Sequence, residues 1–455
     1  MIRVEIAPST TYAEHRAKEW AISILLDSID YEITTVKQKR SYYSFWIEEV
    51  EVLRVRDRWI GDFFSRRSQG YQLEPASAAI NQIAGSELYV VSGDTDSQDL
   101  FLDEVVTLPD IVGLLFLSLA SANEFLSPET DCYGRCPEEV AIGYSLANTN
   151  ICWVDDWSTA IKKLLNIEEG ICREKRMVSY VTHDIDIIRS YPCVGYFQFA
   201  KQLISDLYRS NWKRHPLERL MSRSLGHYFP KIEWNISTLY KLVDAYKEYE
   251  LNATFYLLLD PIGEMDIGHY SYSSKWIKEF ILYAHLNGCT IGLHTSYYQS
   301  MSHGDYLNAI NKFRSYMSSL LDCDFDHVVT RNHYLRFSYK ESVGWMSSAG
   351  VKSDSSVGYS KSFGWRLGTR RPFEMFDLLK GEATSVVQEP FGLMDNALIA
   401  DQSQDLILNK DFLKALELIS SCPEKSAILV HPHNFHTDLS ISLFCKKISE
   451  LLASR

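Results

Sequence analysis

A β-prone run, "VSYVT" (178–182), leads directly into "HDID", so that His183, Asp184 and Asp186 fall side by side. Two carboxylates two residues apart repel each other, and grouping them calls for a cation, a proton or a nearby guanidinium. Histidines recur in similar settings: His294 after "TIGL", His333 after "HVVTRN", and His431 and His433 around "SAILV" and its proline. Neutral imidazole and carboxylate together bind a divalent metal such as zinc while leaving a position open, and a metal so held makes water a usable nucleophile near neutral pH. Asp186 and His294 are the leading ligand candidates. Asp184, close by but not necessarily on the metal, is placed to take a proton as general base, and either Arg331 or Arg336 to keep its carboxylate ionised and oriented. His431, on a different strand, is placed to protonate a leaving group. The set describes metal-assisted hydrolysis of an acyl bond.

Groups so far apart in sequence need a scaffold that gathers strand ends. From about residue 170 the pattern repeats strand, loop, helix: "MVSYVTHD", an insertion, the helix "ISTLYKLVDAYKEYEL", the strand "NATFYLLL", the helix "SKWIKEFILYAHLNG" closed by Gly288, and the strand "TIGLHTS". "HVVTRNHY", "KSDSSVGY", "FEMFDLL", "SVVQEPF" and "SAILVHPHNF" continue it, with helices between and after. Such alternation implies parallel strands covered by helices, in a barrel or a doubly wound sheet, with the chemistry at the carboxyl ends of the strands. Asp184 with Asp186, His294, Arg331 with His333, Asp354, and His431 with His433 all fall there. His431 and His433 alternate along an extended segment, so one of them, taken as His431, reaches the site.

The stretch before residue 170 reads as a smaller α/β domain, with the amphipathic "YAEHRAKEWAISILLDSI", alternating runs such as "DYEITTV" and "ELYVVSG", and the helical "DIVGLLFLSLASANEFL". A helix later in it takes Asp155 or Asp156 as N-cap. Nothing there gathers titratable groups densely, so it reads as a packing or docking module, open to a protein partner. With roughly 150 residues per domain as the prior, 455 residues suit one small domain, 1–170, beside a barrel of about 250 residues, 171–455.

Forty-six Lys and Arg against 59 Asp and Glu leave a net charge of −13, which gives no basic field to collect nucleic acid or anionic lipid. The opening residues show no charged segment followed by an apolar one, and no later apolar run approaches the ~18 residues of a membrane span; a cytoplasmic protein is expected. Nine cysteines, an odd number without CxxC pairing, argue against a disulfide framework or a zinc ribbon, and Cys132 and Cys136 in "DCYGRC" read as ordinary thiols.

"THDID", "ATFYLLL", "GLHTSYY", "TRNHYLR", "SDSSVGY" and "ILVHPHN" stand in the order of the sequence signatures of polysaccharide deacetylases, carbohydrate esterase family four, which residues 176 to 453 resemble. The preceding region is similar to an accessory domain found before this catalytic domain in some bacterial members. The resemblance implies an α/β fold, a distorted (β/α) barrel preceded by a smaller α/β domain, and metal-dependent removal of acetyl groups from sugars. It also implies Asp184 as catalytic base, Asp186 as metal aspartate, His294 as first metal histidine and His431 as catalytic acid, with the Asp354 carboxylate orienting that acid.

Two departures stand against the family pattern. The second metal histidine is expected four residues after the first, where this chain has Tyr298, and a phenol is a poor zinc ligand at neutral pH. The third motif carries His333 where a proline is expected. Either His333 supplies the missing ligand, or the metal is held weakly with more water. Tyr298 and Tyr334 then read as packing or substrate-wall residues, and Arg336 as a substrate contact or a structural ion pair. Arg366, between Gly364 and Gly368, is either delivered by a turn to substrate or solvated on a surface turn. The expected function is deacetylation of an N-acetylated sugar or polysaccharide precursor, using zinc or else cobalt, nickel or manganese. From the expected cytoplasmic location, the expected substrate is a nucleotide- or lipid-linked sugar of bacterial surface-polysaccharide assembly rather than peptidoglycan. The alternative is a weakened, glycan-binding relative disabled at Tyr298.

Overall fold

The computed structural model describes residues 1–27, 29–37, 40–65, 70–84, 86–94, 105–167, 180–186, 234–261, 263–266, 270–399, 405–420 and 427–453. The boundary expected near residue 170 and the insertion expected after "HDID" lie outside the described residues. The chain divides into two units, one of Met1–Met177, Phe337–Tyr359 and Gly364–Gly392, the other of Val178–Arg336, Ser360–Phe363 and Leu393–Arg455.

In the first unit, β1 (Ile2–Ile6), β2 (Tyr31–Thr35), β3 (Tyr42–Ile47), β4 (Val50–Arg56) and β7 (Val106–Leu108) form a mixed sheet in the order β2-β1-β3-β4-β7, and β5 (Leu73–Pro75) pairs with β6 (Tyr89–Val91). The helix Tyr12–Leu25 begins where the Thr11 side chain accepts from Glu14 N, and buries Ala17, Trp20, Ala21 and Leu25, a stripe at helical spacing. The apolar run after Asp110 forms one buried helix, Ile111–Leu119, and stops because Ser121 takes a left-handed φ of 52° before a second short helix. The helix Trp153–Leu164 starts earlier than expected: Asp155 lies in its first turn, bonded to Thr369 Oγ1 and Arg370 N, and Cys152 holds the N-cap position. β12 (Ser353–Asp354), β13 (Phe373–Asp377) and β14 (Glu382–Gln388) follow later in this unit in the order β13-β14-β12.

In the second unit, β8 (Val181–Ile185), β9 (Ala253–Leu257), β10 (Thr290–Thr295), β11 (Val329–Asn332), β16 (Ala427–Leu429) and the last two residues of β15 (Phe391–Met394) run in the order β11-β10-β9-β8-β16-β15. The pairs among β11, β10, β9, β8 and β16 are parallel. Residues of β8, β9, β11 and β16 are buried throughout, as in a parallel sheet covered on both faces. The cover comes from helices such as Trp234–Glu248, Lys275–Leu286 and His303–Leu321; the last buries Tyr306, Ala309, Ile310, Phe313 and Met317. The fold class is the one expected, a distorted (β/α) barrel preceded by a smaller α/β domain. Among the described residues no helix is long and apolar enough to cross a membrane.

Register fixes what can meet at the strand ends. Asp184 stands opposite Tyr256, Tyr256 opposite Gly292, and His294 opposite Arg331. A Cβ on Gly292 would lie 2.6 Å from Tyr256 Cδ1 and 2.9 Å from Val329 Cγ2, so the glycine admits the tyrosine ring across β10. That ring in turn lies 4.4 Å beneath the Arg331 guanidinium, a cation–π contact. Overpacking of this kind costs about 1–3 kcal/mol. Gly292→Ala is expected to lower the thermal midpoint measurably, and a midpoint equal to wild type would show that the ring is not held against this position.

Candidate metal centre

Alternation along β8 sorts the opening motif into two faces. Asp184 and Asp186, two residues apart, share one side, while His183 turns to the other, stacking on Phe255 at 5.0 Å and on Tyr246 at 5.6 Å. Its Nδ1 donates to the Val430 carbonyl and its Nε2 meets the Tyr246 hydroxyl, and burial pushes its pKa down to about 4. His183 is therefore a neutral structural histidine. The Tyr270 hydroxyl donates to the Ile185 carbonyl and accepts from Leu258 N, tying the ends of β8 and β9 together just below the carboxylates.

Asp186, His294 and His333 each offer one ligand atom, and these atoms all lie within 4.8 Å of one another. His294 Nε2 is 3.2 Å and His333 Nε2 3.8 Å from Asp186 Oδ1. Both imidazoles are turned by the hydrogen bond at their other nitrogen: His294 Nδ1 donates to the Arg331 carbonyl at 2.8 Å, and His333 Nδ1 to Asp266 Oδ1 at 2.7 Å. A carbonyl can only accept, so Nδ1 of His294 carries the proton and Nε2 presents its lone pair to the centre. Asp186 Oδ1 is buried yet makes no hydrogen bond among the described residues, a costly state unless something else binds it. Two imidazoles and a carboxylate with an open side suit zinc or a similar divalent ion. The side chain of Asp186 is 18% exposed against 1% for His294 and 7% for His333, so the centre opens to solvent on the aspartate's side.

Electrostatics point the same way. Burial alone would raise the Asp186 carboxyl, but the imidazoles of His333, His294 and His431 outweigh it and hold it far below the usual carboxylate range. Burial would lower His294, and the Asp184 and Asp186 carboxylates reverse this, raising it. Counted formally among the described residues, Asp184, Asp186, Asp266 and Asp395 stand against one guanidinium at the centre, that of Arg331; a divalent cation with one proton on His431 brings this group to neutrality.

No family model matches the chain, and no curated protein matches it. Among solved structures, one from Mycobacterium smegmatis named for the polysaccharide deacetylases is similar at 13% identity and a TM-score of 0.33, over 61% of this chain and 91% of that one. The fold class rests on the strand order itself.

Beside the three donors stand two groups suited to proton transfer. Asp184 Oδ1 accepts from Arg331 Nη1 at 2.8 Å, and Arg331, fully buried, also donates to Thr182 Oγ1. Of the two arginines considered for holding Asp184, Arg331 makes the contact; Arg336 donates to the Ser300 carbonyl and lies over the Tyr297 ring, with no carboxylate partner among the described residues. His431 Nε2 is 3.5 Å from Asp186 Oδ2, and its Nδ1 is 2.6 Å from Asp395 Oδ1. Asp395 Oδ2 accepts from His431 N and Asn434 Nδ2, so the carboxylate is fixed at both oxygens. Burial would lower His431, and Asp395 first, then Asp186 and Asp184, raise it to about 9.

The carboxylate at His431 is therefore that of Asp395, not Asp354 as expected. Asp354 instead accepts from Ser356 N and Oγ in the first unit. Asp395 is not among the expected residues; it follows "FGLM" at the end of β15, the same signal that marked the other acids. Asp266 had no comparable signal, since it lies in an irregular loop. His433 does not alternate with His431: Pro432 opens a 3₁₀ turn, and the two rings lie 5.3 Å apart. Tyr298 is 37% exposed, with its ring against Gly263 and edge-on to Tyr297. Tyr334 packs on His333 at 4.1 Å and donates to the Met265 carbonyl. Arg366 is neither solvated nor delivered to a substrate surface. It is buried in the first unit, 3.4 Å from Glu124 Oε1, and donates to the Gly358 and Cys136 carbonyls.

A histidine whose pKa rises on folding lends stability that is complete below its ordinary value of 6.5 and lost as pH climbs through about 9. Metal-free protein is expected to lose stability across that window, and Asp395→Asn to flatten the loss, as read from urea midpoints at the two ends in chelator. Equal slopes for the two proteins would contradict the pairing.

Proposed function

We propose that the chain is a metal-dependent hydrolase that removes the acetyl group from nitrogen on a sugar or polysaccharide precursor. The observation that carries this reading is the convergence of Asp186, His294 and His333 beside a buried Asp184 held by Arg331 and a buried His431 held by Asp395. A divalent cation in that cluster, zinc before cobalt, nickel or manganese, would supply Lewis acidity toward the acyl oxygen and the attacking water.

The protein's own groups divide the remaining work. Asp184 takes the proton of the attacking water: Arg331 engages its Oδ1, and its Oδ2, 3.8 Å from His294 Nε2, faces the same centre. His431 delivers a proton from Nε2 to the departing nitrogen, while Asp395 holds Nδ1 and keeps the ring aimed. Tyr334 and Leu335 follow His333 with left-handed φ values of 59° and 55°, a strained turn of the kind retained at functional sites. In this reading the backbone N–H groups of the turn are the donors to the developing oxyanion, and Tyr298 and Tyr334 line the sugar.

The non-catalytic alternative drew on the tyrosine at position 298. His333 completes a three-donor set without that position, and simple glycan binding has no need of Asp184 and His431 in their paired arrangements. The reading extends to a cytoplasmic reaction on a sugar still carried by a nucleotide or lipid, with the first unit docking a protein partner; finding the protein in the periplasm would reverse the choice of substrate.

Acetate release from N-acetylated nucleotide sugars tests the proposal. Asp184→Asn and His431→Ala are each expected to keep zinc and lose about 10²–10⁴-fold in kcat, the usual range for general acid–base groups. Asp186→Ala should lose zinc and activity together. Chelator-insensitive turnover, or full activity in Asp184→Asn, would sink the mechanism.

A further inference from the structure

The two candidate imidazole ligands are held in different ways. His294 lies within β10, and parallel pairing with β11 brings the Arg331 carbonyl to its Nδ1, so register alone supplies its anchor. His333 lies beyond the last residue of β11, in a 3₁₀ turn, where no ladder carbonyl reaches it. Its Nδ1 is met instead by Asp266, from the loop after β9, and among the described residues this is the hydrogen-bond partner of the ring. The Asp266 side chain is wholly buried. Its Oδ1 also accepts from Tyr297 N at 2.9 Å, and its Oδ2 makes no hydrogen bond among the described residues. Burying a carboxylate with one oxygen unsatisfied is expensive, and a neutral side chain would serve simple packing better.

We propose that Asp266 is a positioning residue for the metal centre, the anchor that makes a histidine outside the strand ladder serve as third ligand. The assignment rests on the metal reading above. By accepting from Nδ1 it leaves the Nε2 lone pair facing Asp186. By accepting from Tyr297 N it fastens to the same oxygen the loop after β10, which carries Tyr298. Asp266 thus joins the loops after three consecutive strands at the point where the ligand set is completed. Carboxylates that orient a ligating imidazole in this way are worth roughly 10–100-fold in metal affinity.

Zinc affinity of the full chain, measured by competition with a chromophoric chelator, tests this without reference to turnover. Asp266→Ala is expected to bind zinc roughly 10–100-fold more weakly than wild type, with Asp266→Asn, which keeps an acceptor but not the charge, in between. In a His333→Ala background, Asp266→Ala should change affinity no further, because the ring it positions is gone; a purely structural role would weaken binding in both backgrounds. Should Asp266→Ala fail to fold, Asp266→Asn against wild type and the same pair in the His333→Ala background decide the matter. Wild-type affinity in the Asp266 variants, or additive losses in the doubles, overturns the assignment alone. Absence of zinc uptake by wild type overturns the metal reading and the assignment with it.

Discussion

The centre depends on a constraint at the far side of each imidazole. An imidazole has two nitrogens, and which one faces inward is set by what the other donates to. Here a backbone carbonyl serves His294, Asp266 serves His333 and Asp395 serves His431, so that all three Nε2 atoms turn toward Asp186. Without these acceptors the same residue types would be buried histidines with free choice of tautomer, and Asp186 would be an uncompensated buried carboxylate.

The parallel sheet makes the arrangement geometrically cheap. Period-two alternation puts Asp184 and Asp186 on one face of β8 and sends His183 into the packing against Tyr246 and Phe255. Neighbouring strands then bring His294, Arg331 and His431 to the same end of the sheet. Arg331 connects the layers: its guanidinium holds Asp184 above, its carbonyl holds His294, and its cationic face rests on Tyr256, which lies in place because β10 has Gly292 there.

Much of this was legible in the sequence, for physical reasons that also explain what was not. Strand, loop and helix alternation gave the fold class, and the rule that chemistry collects at strand ends gave Asp184, Asp186, His294, Arg331 and His431 as candidates. His333 was legible as a ligand candidate against the resemblance, as a histidine where a proline is expected once Tyr298 left the second histidine position without a ligand. The residues that escaped are those whose placement is tertiary. Asp395 follows a four-residue strand that the sequence reading did not separate from "SVVQEPF", and Asp266 lies in a loop with no periodicity. Arg366 misled because a glycine-flanked arginine suggests a turn at the surface, whereas Glu124, more than two hundred residues earlier, compensates its charge in the interior. His433 misled because an extended continuation was assumed through Pro432, where the backbone turns.

The central claim is that His333, on the turn after β11, completes a three-donor centre with Asp186 and His294. X-ray absorption fine structure of the zinc-loaded protein tests it most directly, because multiple scattering from imidazole rings counts them. Two imidazoles in wild type, falling to one in His333→Ala, is the predicted result. An imidazole count unchanged by that substitution would contradict the claim and place the third ligand elsewhere.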